Sequence, residues 1–255
     1  MKYTFKNIGI LSISLLIASC TFSKKQTSNH HNKEMGHGIE LVVLDPGHFH
    51  ASLLQKNALA AVNDTVRVYA PEGVEVKQYL NNIHSYNQRT ESPTAWKEEA
   101  YIGEDYLSRM LSDRKGDVVV LAGNNQKKTK YILEAIKAGK HVFCEKPIDH
   151  DVDKIKEVIE ALEGTDIKYQ VGFNRRFDHN FEAVQQAVAA GKVGKPEIIK
   201  ITSRDPEPPP AEYAASSGGM FLDMTIHDFD MARFLAGSDI ESVSYTHLRA
   251  HETVL

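Results

Sequence analysis

From Ile39 onward, short runs of apolar residues alternate with longer stretches in which apolar residues recur every three or four positions. Short apolar runs fit strands buried on both faces of a parallel sheet, and the periodic stretches fit helices that cover it. This pattern predicts strands over residues 40–44, 66–70, 117–121 and 141–144, with helices over 50–62, 104–111 and 128–138. On the last of these helices Tyr131, Ile132, Ala135 and Ile136 share one face, and Gly139 ends it. Alternating units of this kind predict an α/β fold with a doubly wound parallel sheet of the Rossmann-like, nucleotide-binding type. Further on, a strand is expected over 198–203, broken by Pro206 and Pro208–Pro210 into a stiff loop. Residues 217–234 (SGGMFLDMTIHDFDMARF) then read as a helix. At the helical period Asp223 and His227 stand one turn apart with Asp230 on the same stripe, and Met220, Met224, Met231, Leu222, Ile226 and Phe229 hem that stripe in.

The two ends follow neither pattern. Lys2 and Lys6 precede an apolar stretch over 8–18 that is too short to span a bilayer and fits an export signal. Its close, Ile17-Ala18-Ser19-Cys20, resembles a bacterial lipobox, which implies cleavage before Cys20 and lipidation of its thiol; an ordinary secretory signal is the alternative. Residues 21–38 are polar and without period, a flexible tether whose His30, His31 and His37 have no companion metal ligands. Residues 243–255 (VSYTHLRAHETVL) resemble a translated sequencing-library adapter, which implies a native chain that continues beyond Ser242; a genuine polar tail is the alternative. The expected layout is a signal over 1–20, a linker over 21–38, a nucleotide-binding domain over 39–150, part of a substrate domain over 151–242 and the tail over 243–255.

Composition narrows the functional classes. The 255 residues are 42% hydrophobic with a formal charge of -4, ordinary for a globular protein. The absence of a Lys/Arg-dense segment argues against a nucleic-acid partner. Two cysteines, Cys20 and Cys144, make no disulfide framework, and Cys144 on its apolar strand reads as a core residue.

The first βα turn should carry the chemistry of a dinucleotide site, with glycines that let the backbone approach a pyrophosphate. Here it reads Asp45-Pro46-Gly47-His48-Phe49-His50, which keeps one glycine, sets Asp45 near a phosphate and lets His50 crowd the helix–strand contact. The second strand ends in Tyr69-Ala70-Pro71 rather than an acid for a ribose hydroxyl; Glu72 could substitute, although its spacing is off. His48 and His50 alone rarely make a metal site, so they are read as structural or phosphate-proximal and no metal is expected. Asn124 and Asn125 follow the strand over 117–121, at the sheet edge where such folds bind ligands; helix capping is the competing role.

Four separated segments carry a resemblance. VFCEKPID over 142–149, QVGFNRRFD over 170–178, KITSRDP over 200–206 and the Asp223/His227 helix together resemble the Gfo/Idh/MocA oxidoreductase family, inositol 2-dehydrogenases above all, over residues 143–242. The resemblance implies a Rossmann domain followed by an α/β substrate domain with an open sheet. It also implies NAD as cofactor, with NADP left open, a small-molecule polyol or sugar as substrate, and homo-oligomers as in relatives. Lys146, Asp223 and His227 fall on the family's catalytic positions, and Glu145, Lys146 and Pro147 join Gly47, His48, Phe49, Asn124 and Asn125 as cofactor-side residues. Arg175 and Asp205 are expected near the substrate. In alcohol oxidation His227 suits the base near neutral pH, Lys146 stabilises developing alkoxide charge, and Asp223 orients the imidazole or accepts from a substrate hydroxyl.

Export fits poorly with an NAD enzyme, since free NAD should be scarce outside the cytoplasm. The front half resembles an exported branch of the superfamily and the later half an inositol dehydrogenase, which raises a junction near 139–144. The expected location is a lipoprotein anchored through Cys20 on the periplasmic side, or the cytoplasm if the leader is foreign to the catalytic half. The competing function is an exported, lipid-anchored nucleotide-fold protein that binds a sugar-like ligand without redox turnover.

Overall fold

The computed structural model describes residues 38–204, 207 and 209–244, in two compact units that meet between Gly172 and Phe173. Cys20, Asp205, the export-type segment, His30, His31, His37 and the tail from residue 245 lie outside the described residues.

In the first unit six strands run parallel: β1 (Leu41–Leu44), β2 (Thr65–Ala70), β3 (Lys97–Ile102), β4 (Val118–Leu121), β5 (His141–Cys144) and β6 (Tyr169–Val171), in the order β3-β2-β1-β4-β5-β6. The strand order reverses between β1 and β4, so the loops that follow those two strands open a crevice at their carboxyl ends. Strand periodicity sorts the core onto two faces. Val42, Leu44, Val119, Leu121, Val142 and Cys144 meet α3 (Tyr106–Asp113), α4 (Asn125–Lys137) and α5 (Val152–Leu162) through Met110, Ile132, Ala135 and Val158. Leu41, Val43, Val66, Val68 and Val120 face α1 (His50–Leu53) and α2 (Val74–Gln88) through Ala51, Val76, Tyr79 and Ile83.

Two expectations are corrected here. The first helix is one turn, His50–Leu53, rather than a helix to residue 62. Beyond it Gln55 is fully buried and tied elsewhere: its carbonyl accepts from Trp96 Nε1 at 2.6 Å, its amide donates to Glu98 at 3.0 Å, and its side-chain oxygen accepts from Tyr79. The first unit also runs on to Gly172 instead of ending at 150, because β6 pairs with β5 and α5 packs against α4.

In the second unit a 3₁₀ turn (Asn174–Phe177) leads into α6 (His179–Ala189), whose first turn is capped by the Asp178 carboxylate. α7 (Ala211–Ser216), a π-helical turn (Phe221–Thr225) and α8 (Ile226–Ala236) follow. The expected strand over 198–203 is absent among the described residues, and Ile198 is 88% exposed. A strand has no stability without a partner for its backbone groups, and no strand is present among the described residues of this unit.

Candidate functional site

The loops after β1 and β4 pack so closely that two glycines are required. A Cβ on Gly47 would lie 3.1 Å from Gly123 Cα, and one on Gly123 would lie 2.4 Å from the Asp45 carbonyl oxygen. Any side chain at 123 would push the loops apart at the crevice. Asp45 itself, in the left-handed region with φ 47°, turns its carboxylate away from this backbone. The carboxylate accepts from Lys127 Nζ at 3.0 Å and from the Tyr131 hydroxyl at 2.7 Å, both on α4. The negative charge expected to oppose a phosphate is therefore already neutralised.

His50 does not crowd the sheet as expected. Its Nδ1 stands 3.3 Å from Glu145 Oε1, and its backbone N–H donates to His48 Nδ1 at 3.3 Å. The two imidazoles meet edge to face with centroids 4.4 Å apart. Burial first, and then the neighbouring His50, push the His48 pKa from 6.5 down to about 4, so His48 is neutral near pH 7. Among the described residues, no acceptor meets the N–H groups of Gly47, His48 and Phe49.

The Glu145-Lys146-Pro147 turn hangs from the end of β5 and is fixed from below. Lys128, only 2% exposed, donates from Nζ to the Glu145 carbonyl at 2.8 Å and the Pro147 carbonyl at 2.9 Å, on either side of Lys146. Burial lowers the Lys128 pKa, and the carbonyl dipoles take the place of water around its ammonium. Next to it Thr129 donates to Asp149 at 2.6 Å, and Asn125 meets His150 at 3.1 Å. Burial by itself would raise the Glu145 pKa, but the His50 hydrogen bond and the charges of His50 and Lys128 outweigh it and hold the carboxyl below its ordinary range. Gly172 leaves the space beside this carboxylate: a Cβ there would come within 3.1 Å of Glu145 Oε1. Asn124 turns out to be the cap of α4, its side chain accepting from Gln126 N at 2.8 Å.

In the second unit Asp223 is buried within the π-helical turn, and its Oδ1 accepts from the Tyr213 hydroxyl at 2.9 Å. Burial, and then this carboxylate, push the Tyr213 pKa up to about 12. The wider π turn offsets Asp223 from α8, so Asp223, His227 and Asp230 do not form the straight α-helical stripe expected from a 3.6 period. His227 packs edge to face near Phe173, with ring centroids 6.3 Å apart. Arg175, expected near substrate, pairs with Asp228 at 2.5 Å and donates to Ser203 at 3.1 Å. Arg176 takes Asp230 through Nε and Nη2, at distances from 2.7 to 3.0 Å, and lies over the Phe234 ring. Asp230 is thus the ion-pair partner of Arg176. Lys146 belongs to the first unit and Asp223 and His227 to the second.

A cleft of about 290 Å³ opens between the β1–α1 turn and the start of α2, with Gly47, His48, Phe49, Val74, Glu75 and Gln78 on its walls. A pyrophosphate needs backbone N–H donors and close approach, and unpaired amides beside a glycine contact supply both. These residues therefore fit a dinucleotide even though the glycine fingerprint is reduced. Lys128, Tyr131, Gly123 and Glu75 were not anticipated from the sequence. Lys128 and Tyr131 carried a signal: Tyr131 lies on the apolar face of its helix, and Lys128 four residues before Ile132 on the same stripe.

Comparison with known proteins agrees with this geometry. Residues 47–173 match the oxidoreductase family with an NAD-binding Rossmann fold, and residues 181–254 match the GFO/IDH/MocA C-terminal domain. The first match takes in the reduced glycine turn, well ahead of residue 143 where the resemblance was expected to begin. The chain is similar to myo-inositol 2-dehydrogenase of Thermotoga maritima, at 45% identity over 134 residues, 52% of this chain and 40% of that protein. It is similar to inositol 2-dehydrogenase of Rhizobium meliloti, at 48% identity over 130 residues, 51% of this chain and 39% of that protein. Among solved structures it resembles scyllo-inositol dehydrogenase from Lactobacillus casei with bound NAD(H) and scyllo-inositol, with TM-score 0.59 and 28% identity over 79% of this chain and 57% of that one. The matched part spans about two fifths of the length of these curated relatives.

Proposed function

The chain belongs to the Gfo/Idh/MocA oxidoreductase family, and on that premise we propose that it serves as an NAD-dependent dehydrogenase that oxidises a secondary alcohol of a cyclic polyol, an inositol foremost. The observation that carries this reading is the contact of His50 with Glu145 at 3.3 Å. It joins the turn that carries Lys146 to the glycine turn that suits a pyrophosphate, which supports a role for Lys146 beside the cofactor.

Bound NAD supplies the hydride acceptor. The chain's own groups handle the proton and the charge it leaves behind. His227 takes the hydroxyl proton, a role worth roughly a hundred- to ten-thousand-fold in rate for a positioned base. Lys146 supplies an ammonium that stabilises developing negative charge on an alkoxide oxygen. Asp223, held by the Tyr213 hydroxyl, orients the imidazole or accepts from a neighbouring substrate hydroxyl. A polyol needs several such partners, since each buried hydroxyl left unpaired costs about 1–3 kcal/mol.

Thermal unfolding of the full chain against rising NAD tests the reading. A saturable rise of several degrees is expected, with inositol oxidation that falls steeply in Lys146→Ala and His227→Ala while His227→Ala keeps the NAD response. Stabilisation by a polyol with no response to NAD would replace it with a sugar-binding protein that performs no redox chemistry.

A further inference from the structure

We propose that Glu75 reads the adenosine ribose of the dinucleotide and makes this chain select NAD over its 2′-phosphorylated counterpart. The proposal rests on the dinucleotide-binding reading above and assigns the ribose contact to a residue outside the usual place. In doubly wound folds that contact comes from an acid near the end of the second strand. Here β2 ends at Ala70 and Pro71 follows. Glu72, the nearest acid, is spent on Lys77 at 3.3 Å, with both side chains well exposed, and it is not among the residues that line the cleft.

Glu75 is. It sits in the first turn of α2, on the wall facing the β1–α1 turn that suits the pyrophosphate. Its carboxylate folds back over Gly73: a Cβ at Gly73 would fall 2.8 Å from Glu75 Oε2, so the missing side chain leaves room for the acid to rest there. The apolar walls of the same cleft include Phe49 and Val74, 57% and 75% exposed, side chains that a flat base could cover. Gln78, one turn further along α2, adds a second polar group. Among the described residues, no lysine or arginine lines the cleft.

The chemistry follows from that donor set. A carboxylate accepts from the two vicinal ribose hydroxyls, both of which are donors. A 2′-phosphate removes one donor and sets negative charge against negative charge with no cation to offset it, which is selection by repulsion as well as attraction.

Calorimetric titration of the full chain with NAD and with NADP tests this without reference to turnover. Wild type should bind NAD at least about tenfold more tightly than NADP, the size expected for a single charged hydrogen bond made in one complex and opposed in the other. Glu75→Gln should weaken NAD by about tenfold and narrow the gap. Gly73→Ala should act in the same direction by displacing the carboxylate while keeping its charge, and Glu72→Gln should leave the ratio unchanged. Equal affinities in wild type, or a ratio that moves with Glu72 and not with Glu75, overturn the proposal while the dinucleotide reading stands. Binding of neither dinucleotide overturns both. Trp96 fluorescence checks that each variant is folded, since this buried indole sits against the cluster beneath the cleft.

Discussion

The turn that carries Lys146 and the helix that carries His227 are both fixed by charged side chains reaching from other elements, but those charges end on different partners. In the first unit Lys128 ends on two backbone carbonyls and is almost fully buried. In the second Arg175 and Arg176 end on the carboxylates of Asp228 and Asp230, with the arginine side chains a quarter exposed. A cation on carbonyl dipoles fixes the path of the backbone itself and lies beyond the reach of salt. A cation on a carboxylate docks one element on another and leaves part of its energy to the solvent. The comparison teaches that one part of the candidate chemistry rests on a rigid frame and the other on an adjustable one.

The largest effect should come from Lys128→Met. The variant keeps an apolar stem but orphans the Glu145 and Pro147 carbonyls; at about 1–3 kcal/mol each, less what is regained by no longer burying a charge, we expect a loss of about 3 kcal/mol. Trp96 is the only tryptophan and lies in the first unit, so its fluorescence during urea unfolding reports this unit. An unchanged Trp96 midpoint would mean that the lysine contributes nothing to the frame.

How far the sequence exposes this division depends on where each contact lies. The runs at β1, β4 and β5 were legible because strands buried on both faces are continuous apolar segments. β3, Lys97–Ile102, was not: it is an edge strand rich in Lys and Glu, with no apolar face to mark it. α2 was passed over although Val76, Tyr79 and Ile83 are spaced for one buried face. The EKP motif, Asp223 and His227 stood out in the sequence as candidate chemistry, whereas the π-helical turn that offsets Asp223 from α8 leaves no mark in a pattern read at 3.6 residues per turn. Contacts between distant segments, such as Asp45 with Lys127 and Tyr131 or Arg176 with Asp230, depend on topology and were out of reach of local spacing.

Arg176→Met sharpens the comparison from the other side. It leaves Asp230, 5% exposed, without its bidentate partner, and because the pair is partly open to water the cost should be about 1–2 kcal/mol rather than the full penalty of a buried charge. The loss should appear in the helical circular dichroism of the second unit, leave the Trp96 transition in place, and shrink in 1 M salt (about a 3 Å screening length). A Trp96 midpoint that moves as far as it does in Lys128→Met would erase the distinction between the two anchors.

The smallest effect is a pH dependence confined to the first unit. His48 has a folded pKa of about 4 against 6.5 for the free side chain, so the unfolded chain binds more protons between these values. Stability is then complete above pH 6.5 and falls as the pH drops toward 4, with protons drawn to the unfolded state. The groups acting on His48 are His50, Lys146 and Lys128, which oppose its protonation along with burial, and Glu145, which favours it. Since the imidazole is partly open to solvent, the loss should be about 1 kcal/mol. His48→Gln keeps a polar group at the turn and removes the titration, so the Trp96-reported stability should become flat over that window. If the slope persists in the variant, it belongs to another group, and His48 carries no tension between burial and charge at the turn proposed to receive the pyrophosphate.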